Sequence, residues 1–558
     1  MGKIHASLAA LLAFVAAPLA LAASPAIADT LYINANGYTL GGDGALQRFA
    51  ALQVGDDGHV VATFPAGAAL PKGKKINLKG ATLLPGLIDA HGHVMGLGEL
   101  KLAIDLNGTT SIAEAQARIR KGTPKSGWIK GSGWNQERWS EGGQPIGRFP
   151  TAAELDAATG GRPAFLERVD GHAGWVNSAA IKAAGITRDT PDPAGGRIEK
   201  DAAGNPSGVL VDAAMKLVTD VMPAPTVAEG DAVLDAALRT MASVGLTSVH
   251  DAGMDRQVWD RYVRYADTGK LTTRIYAMAY GPKNRAEVAP SGPIGWGWDD
   301  RLAMMAMKLQ ADGALGSRGA WMMQPYTDAP NSRGLPFFPE TQLRQMILQG
   351  SAAGFQVNVH AIGDAANGAV LAAFAAMPES QRSALRHRNE HAQIVAVEDL
   401  PRFARLGIIA SIQPTHATSD KGMAEARVGE ARLAGGYAWK TIIDSGARIA
   451  GGSDFPVEPP NPFFGLHAAV TRQSRDGLPP EGWRMAEAMT LQQAFAAFTT
   501  DAAFAGHAEN KVGTLTPGKW ADFIITDTDP FASPPGDLWK IAVRETWVAG
   551  RRVFRKSK

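Results

Sequence analysis

The sequence predicts an α/β protein: a (β/α)8 barrel with a small composite β-sandwich contributed by both chain ends. Three observations predict it. Strand-like runs alternate with Ala- and Leu-rich helical stretches through the middle of the chain. Short strands bounded by Gly and Asp flank that middle on both sides. Several central strands end in His or Asp, and a barrel of this kind carries its active site at the strand C-termini.

Taken in order, residues 1–28 read as a secretory signal peptide. Lys3 and His5 precede an apolar run from Leu8 to Ala23, and Ala26-Ile27-Ala28 offers a small-x-small cleavage site. The run is Ala-rich, contains Pro18 and is short for a membrane span. The mature protein is therefore expected to be secreted, into a bacterial periplasm. Cysteine is absent, which removes disulfides, a lipid-attachment cysteine, thiolate catalysis and Cys-type zinc sites. Any metal must be held by His, carboxylate or a modified side chain. The 56 basic and 54 acidic residues leave a formal charge of +2, so nothing points to nucleic acid or a membrane surface as partner. A small-molecule substrate is the expected partner, and pairing with a second copy is compatible with such barrels. The length of 558 residues calls for more than one structural unit.

Residues 29–83 form the first part of the expected sandwich, with short strands around Leu31–Ile33, Phe49–Val54 and His59–Phe64. Residues 506–558 have the same texture, in Ala521–Thr526 and Val543–Val548. Neither end alone has enough strands for a stable sheet. Between them, 84–505 reads as the barrel. Candidate strands include Trp128–Gly131, Ala164–Leu166, Thr247–His250, Ile275–Ala277, Met304–Leu309, Gln356–His360, Arg388–Ile394, Ile408–Gln413 and Arg448–Asp454. The stretch at about 95–240 is too long for one βα repeat and is expected to be an insertion that covers the pocket.

The barrel opens at Pro85-Gly86-Leu87-Ile88-Asp89-Ala90-His91-Gly92-His93. His91 and His93 stand one residue apart at a strand's end, and alternate side chains on a strand point the same way. Two imidazoles so placed can grip one divalent metal. Later strands supply Lys308 inside Met307-Lys308-Leu309, then His360, His391 and Asp454. Each alone reads as a structural residue. Together they are hard to explain as independent accidents.

The order HxH, Lys, His, His, Asp resembles the amidohydrolase superfamily of metal-dependent hydrolases. The phrases PGLIDAHGH, MKLQADGALGSRGA, VNVHAIGDAAN, RNEHAQIV and GGSDFPVEPPNPF resemble its amidohydrolase family 3 type, similar to N-substituted formamide deformylases. The resemblance implies a TIM-like barrel with two divalent ions, zinc first, iron or manganese otherwise. His91 and His93 would hold the more buried ion, and His360 and His391 the more exposed one. Lys308 would be carbamylated and bridge both. Asp454 would bind metal and handle the proton as catalytic acid–base. Glu390 and Asp364 are candidates to orient the ligand histidines.

Such a centre lowers the pKa of a shared water from about 15.7 to near 7. The expected reaction is hydrolysis, by metal-bound hydroxide, of a C–N bond other than a peptide bond, in an N-acyl or N-formyl amine or a linear or cyclic amide. Hydrolysis of a carbamate, ester or lactone is the nearest alternative, and a non-catalytic periplasmic binding protein the alternative from another class. His172, in VDGHAGW, is the candidate to bind substrate and polarise the carbonyl as a catalytic group. His250 at another strand end, Arg318 in a Gly-rich loop and Trp134 complete the expected substrate contacts, with Trp139, Trp175 and Trp321 as further pocket candidates.

Overall fold

A computed structural model describes residues 29–124, 127–168, 173–193 and 196–557. The signal-peptide expectation at 1–28 lies outside the described residues. Among those residues no helix is long and apolar enough to cross a membrane.

Eight parallel strands form the central sheet: β1 (Leu87–Gly92), β2 (Leu246–Met254), β3 (Arg274–Tyr280), β4 (Leu302–Gln310), β5 (Gln356–Ala361), β6 (Arg388–His391), β7 (Ile409–Ile412) and β8 (Ile449–Gly451). They pair in sequence order, each with the next. The last meets the first through a parallel bridge between Gly92 and Phe455. The seam is tightened by Asp454 N donating to His91 O and His93 N to Phe455 O, both 2.7 Å. The strands are buried almost throughout, as strands covered by helices must be. This nearly closed parallel sheet is that of a TIM barrel.

Both chain ends enter one further sheet. Thr30–Leu40, Leu46–Val54, Val60–Phe64, Lys74–Asn77 and Thr82–Pro85 join Phe523–Thr526, Val543–Val548 and Arg551–Arg555. The junction is the antiparallel pair of Thr82–Pro85 with Phe523–Thr526. All eight strands belong to a single bonded sheet rather than to two separate ones. Its apolar core draws on both ends, with Tyr32, Leu52, Leu83, Phe523 and Ile525 among its residues. Arg274 at the start of β3 ties this sheet to the barrel. Its guanidinium donates to both oxygens of Asp522, at 2.7 and 2.9 Å, in a fully buried two-pronged pair.

The insertion differs from expectation. The runs near Trp128 and Ala164 are not barrel strands. Ile129–Trp134 and Ala164–Arg168 belong to a separate six-stranded sheet with Ile104–Asp105, Ala173–Val176, Gly196–Lys200 and Pro206–Asp212. This unit has a core of its own, which explains why it does not join the barrel. Helices Val94–Leu102 and Val227–Ser243 bracket it and pack together. Gly98 makes that approach possible, because a Cβ there would meet Val233 O at 2.0 Å.

Candidate metal centre and active site

A cavity of about 740 Å³ opens at the C-terminal ends of the barrel strands. Alternation on β1 sends Asp89 and His91 inward, and His93 follows at the start of the next helix. Lys308 on β4, His360 on β5, His391 on β6 and Asp454 after β8 line the same cavity. The structure thus brings together all six residues expected to hold metal. The ring centroids of His91 and His391 are 4.7 Å apart, and those of His360 and His391 4.5 Å. Asp454 Oδ1 lies 3.1 Å from His93 Nε2 and 3.5 Å from His91 Nε2.

The histidine lone pairs are directed by the groups behind them. His91 Nδ1 lies 2.5 Å from Glu390 Oε2, so it donates there and leaves Nε2 bare toward the cavity. His391 Nδ1 lies 2.7 Å from Gln413 Oε1, with the same consequence. Burial, and then the Lys308 charge, lower His91 to about 4 and His360 to about 3. Burial likewise holds His391 well below the usual histidine range. All three are neutral near pH 7, the form that binds metal. Burial raises Asp454, but the His93 hydrogen bond and the neighbouring rings outweigh it and keep the carboxylate ionised. Burial raises Glu390, but Arg388, whose Nε lies 2.8 Å from its Oε1, together with His91 and Lys308, outweighs it and holds the carboxyl well below the usual range.

Lys308 is buried and forms no ion pair among the described residues, and its Nζ sits 3.2 Å from His91 Nε2. Burial lowers its pKa. The Glu390 and Asp454 charges offset that burial only in part, and a lysine whose pKa is lowered in this way is a more reactive amine.

The donor set fits a divalent metal. His360 Nε2 is a buried polar atom without a hydrogen-bond partner, which native interiors rarely tolerate. Ligand atoms of His91, His93 and Asp454 lie within 4.8 Å of one another, as do those of His391, His416 and Asp454.

The substrate-contact expectations fare differently. His172 lies outside the described residues. Trp134 is not in the pocket. It is fully buried in the insertion's core, edge-on to Trp175 and near Trp139, with its Nε1 donating to Leu166 O at 2.7 Å. Trp139 and Trp175 belong to the same core, and the cavity lining holds neither Trp321 nor any described residue of the insertion. Arg318 is also displaced, since Asp328 takes its guanidinium at 2.9 Å on an exposed loop. His250 lies below the cavity floor, where Arg388 donates to its Nδ1 at 2.8 Å, so it reaches the site only through Arg388 and Glu390. Asp364 starts the helix Asp364–Ala375 and accepts from Met323 N and Ala365 N rather than from a ligand histidine. The carboxylate beside His360 is Asp312, 3.5 Å from its Nε2.

The sequence matches the Amidohydrolase family over residues 74–554. The chain belongs to this family. Among curated relatives, YtcJ of Bacillus subtilis is 34% identical over 87% of this chain and 92% of its own. The N-substituted formamide deformylase of Arthrobacter pascens is 27% identical over 94% of this chain and 97% of its own. An uncharacterized metal-dependent hydrolase from Pyrococcus furiosus superposes with a TM-score of 0.75 at 28% identity, covering 90% of this chain and 99% of that one. Its counterpart from Pyrococcus horikoshii gives 0.76 at 26%, covering 91% and 99%. This amidohydrolase is accordingly a hydrolase of a metal-dependent family, and its His and Asp cluster has ligand atoms close enough together to hold a metal ion. One cavity residue went unnoticed in the sequence. His416 sits three residues beyond the Gln413 that ends the seventh strand run, inside the helix Pro414–Ser419, so a search confined to strand ends passes it by.

Proposed function

We propose that this protein is an exported hydrolase of non-peptide C–N bonds, acting on N-acyl or N-formyl amines or on linear or cyclic amides. The observation that carries the reading is the convergence of metal-directed imidazoles and an ionised Asp454 in one cavity large enough for a drug-sized molecule. The kinship with an N-substituted formamide deformylase supports it. In this reading His91, His93, Lys308, His360, His391 and Asp454 hold two divalent ions, zinc by ligand type, with iron or manganese as substitutes. The bound metal supplies an acidified water and polarises the substrate carbonyl. Asp454 takes the proton of the attacking water on a carboxylate oxygen and returns it to the leaving nitrogen. Lys308, desolvated and therefore nucleophilic, captures carbon dioxide through Nζ and loses a proton, becoming an anionic carbamate.

The cavity wall bears the carboxylates of Asp420 and Glu458, and Lys308 is the one Lys or Arg in its described lining. A neutral or cationic amide suits it better than an anionic one. The decisive experiment is elemental metal analysis of protein purified without chelator, followed by a panel of N-formyl amines, N-acyl amines, cyclic amides, esters and lactones. About two metals per chain, amide turnover, and loss of that turnover in a folded Asp454→Asn variant are expected. A protein that takes up no metal, or wild-type rates in Asp454→Asn, would overturn the reading.

A further inference from the structure

His416 is almost fully buried and lines the cavity, its ring nearly parallel to that of His391 at 6.1 Å and 16°. Its Nε2 has no hydrogen-bond partner and stands 3.9 Å from Asp454 Oδ2. A bare Nε2 would make it a metal ligand beside His391 and Asp454. A protonated Nε2 would make it a donor with nothing in the protein to receive its hydrogen.

Two neighbours decide between these. Gln393 Nε2 lies 2.9 Å from Asp420 Oδ2, which also accepts from Tyr437 OH at 2.9 Å. A carboxylate only accepts, so the end of Gln393 facing Asp420 is its NH2 group. That same NH2 is 3.5 Å from His416 Nδ1. A hydrogen on Nδ1 would confront it donor to donor, whereas a bare Nδ1 receives it. The ring's hydrogen therefore sits on Nε2.

We propose that His416 is a catalytic hydrogen-bond donor to the carbonyl oxygen of the substrate, not a metal ligand, its tautomer set by the Asp420–Gln393 pair. The assignment rests on the amide-hydrolase reading for its acceptor. An N–H left unmet in a buried site is destabilising, and a carbonyl oxygen gaining negative charge is the acceptor that relieves it best. Asp454 Oδ2 is too far to accept in the resting enzyme. It is close enough that a carbonyl attacked near Asp454 lies within reach of His416.

The test uses metal-loaded protein with 15N-labelled histidine, the His416 signals being those lost in His416→Gln. Protonated Nε2 with unprotonated Nδ1 is expected, together with wild-type metal content in His416→Ala. A metal-shifted nitrogen, a hydrogen on Nδ1, or metal loss in His416→Ala would overturn the proposal. Neither readout needs turnover, so both decide donor against ligand even if the amide panel fails. On a panel amide that the wild type hydrolyses, kcat of His416→Ala should fall on the order of 10²–10³-fold, and His416→Gln, which keeps an N–H, should recover part of it. An unchanged kcat in His416→Ala would equally defeat the assignment.

Discussion

Glu390→Gln is the most informative single change in the centre, because Glu390 serves two masters at no exposure to solvent. One oxygen receives His91 Nδ1 at 2.5 Å, and the carboxylate as a whole neutralises Arg388, which contacts it at 2.8 and 3.0 Å. An isosteric amide can still accept from His91 through its oxygen, but its NH2 then faces the guanidinium, donor to donor, and the negative charge is gone. Breaking a buried ion pair by removing one partner costs about 3–5 kcal/mol. Weakening the support of a ligand histidine lowers metal affinity about 10–100-fold, or roughly 1.4–2.7 kcal/mol. The first number is read by chemical denaturation of chelator-treated protein, the second by zinc titration with a competing chelator. The double variant Glu390→Gln/Arg388→Met separates the two. Removing the stranded guanidinium should return part of the stability while leaving metal affinity low. The reasoning fails if Glu390→Gln changes stability by less than about 0.5 kcal/mol and leaves the zinc titration unmoved.

Three further outcomes are expected. Trp134→Ala should destabilise the insertion by about 3–5 kcal/mol, exposing it to limited proteolysis, while KM for any substrate stays put; a KM change in intact protein would restore Trp134 to the pocket. Protein prepared in 13C-bicarbonate should show a carbamate signal absent from Lys308→Ala, and no signal in metal-loaded wild type would leave Lys308 an ordinary amine. His387, buried, accepts from Val357 N on Nδ1 and contacts Ser351 through Nε2, and burial lowers it to about 3. Its unfolded pKa is about 6.5, so the unfolded chain binds the proton first as pH falls. The stabilisation is complete above pH ~6.5 and drains away toward pH ~3, by on the order of 5 kcal/mol. His387→Gln should flatten stability against pH across that window, and an unaltered slope in equilibrium denaturation would contradict the assignment.

The legible part of this protein followed from backbone geometry. His91, His360, His391 and Asp454 stand at or just past the ends of β1, β5, β6 and β8, and strand-end position is a property of sequence order alone. The chain-end strands were legible for the same reason, through alternation and turn residues. What escaped depends on packing between distant segments. Ile129–Trp134 is as strand-like as any barrel strand, and only its pairing with Ile104–Asp105 and Ala164–Arg168 assigns it to another sheet. Asp364 is closer to His360 in sequence than Asp312 is, yet Asp312 lies beside the ring. Nothing near Arg318 in sequence shows that it and Arg427 converge on the Asp328 carboxylate. His416 occupies the first helical turn after a strand, where the period changes and strand counting loses the face.

The seam between β8 and β1 constrains how such a site can vary. Among the described residues these strands share one bridge and two backbone hydrogen bonds, and Asp89 reinforces the closure by accepting from Ser453 N and Ser453 Oγ across the seam and from His91 N on its own strand. Gly452 lies so close that a Cβ would stand 2.6 Å from His91 N. Asp454 and His391 both hold left-handed backbone, at φ 60° and 78°, a conformation that costs a non-glycine residue about 1–3 kcal/mol. Residues that close the barrel therefore also aim the ligands, and a substitution there opens the fold before it alters the chemistry. The loop just beyond Phe455 has no such double duty. Val457 is 68% exposed, and Glu458 meets only Ser419 among the described hydrogen bonds. Changes of substrate in this scaffold should fall there, around Val457 and Glu458, where a side chain can be exchanged without breaking the seam.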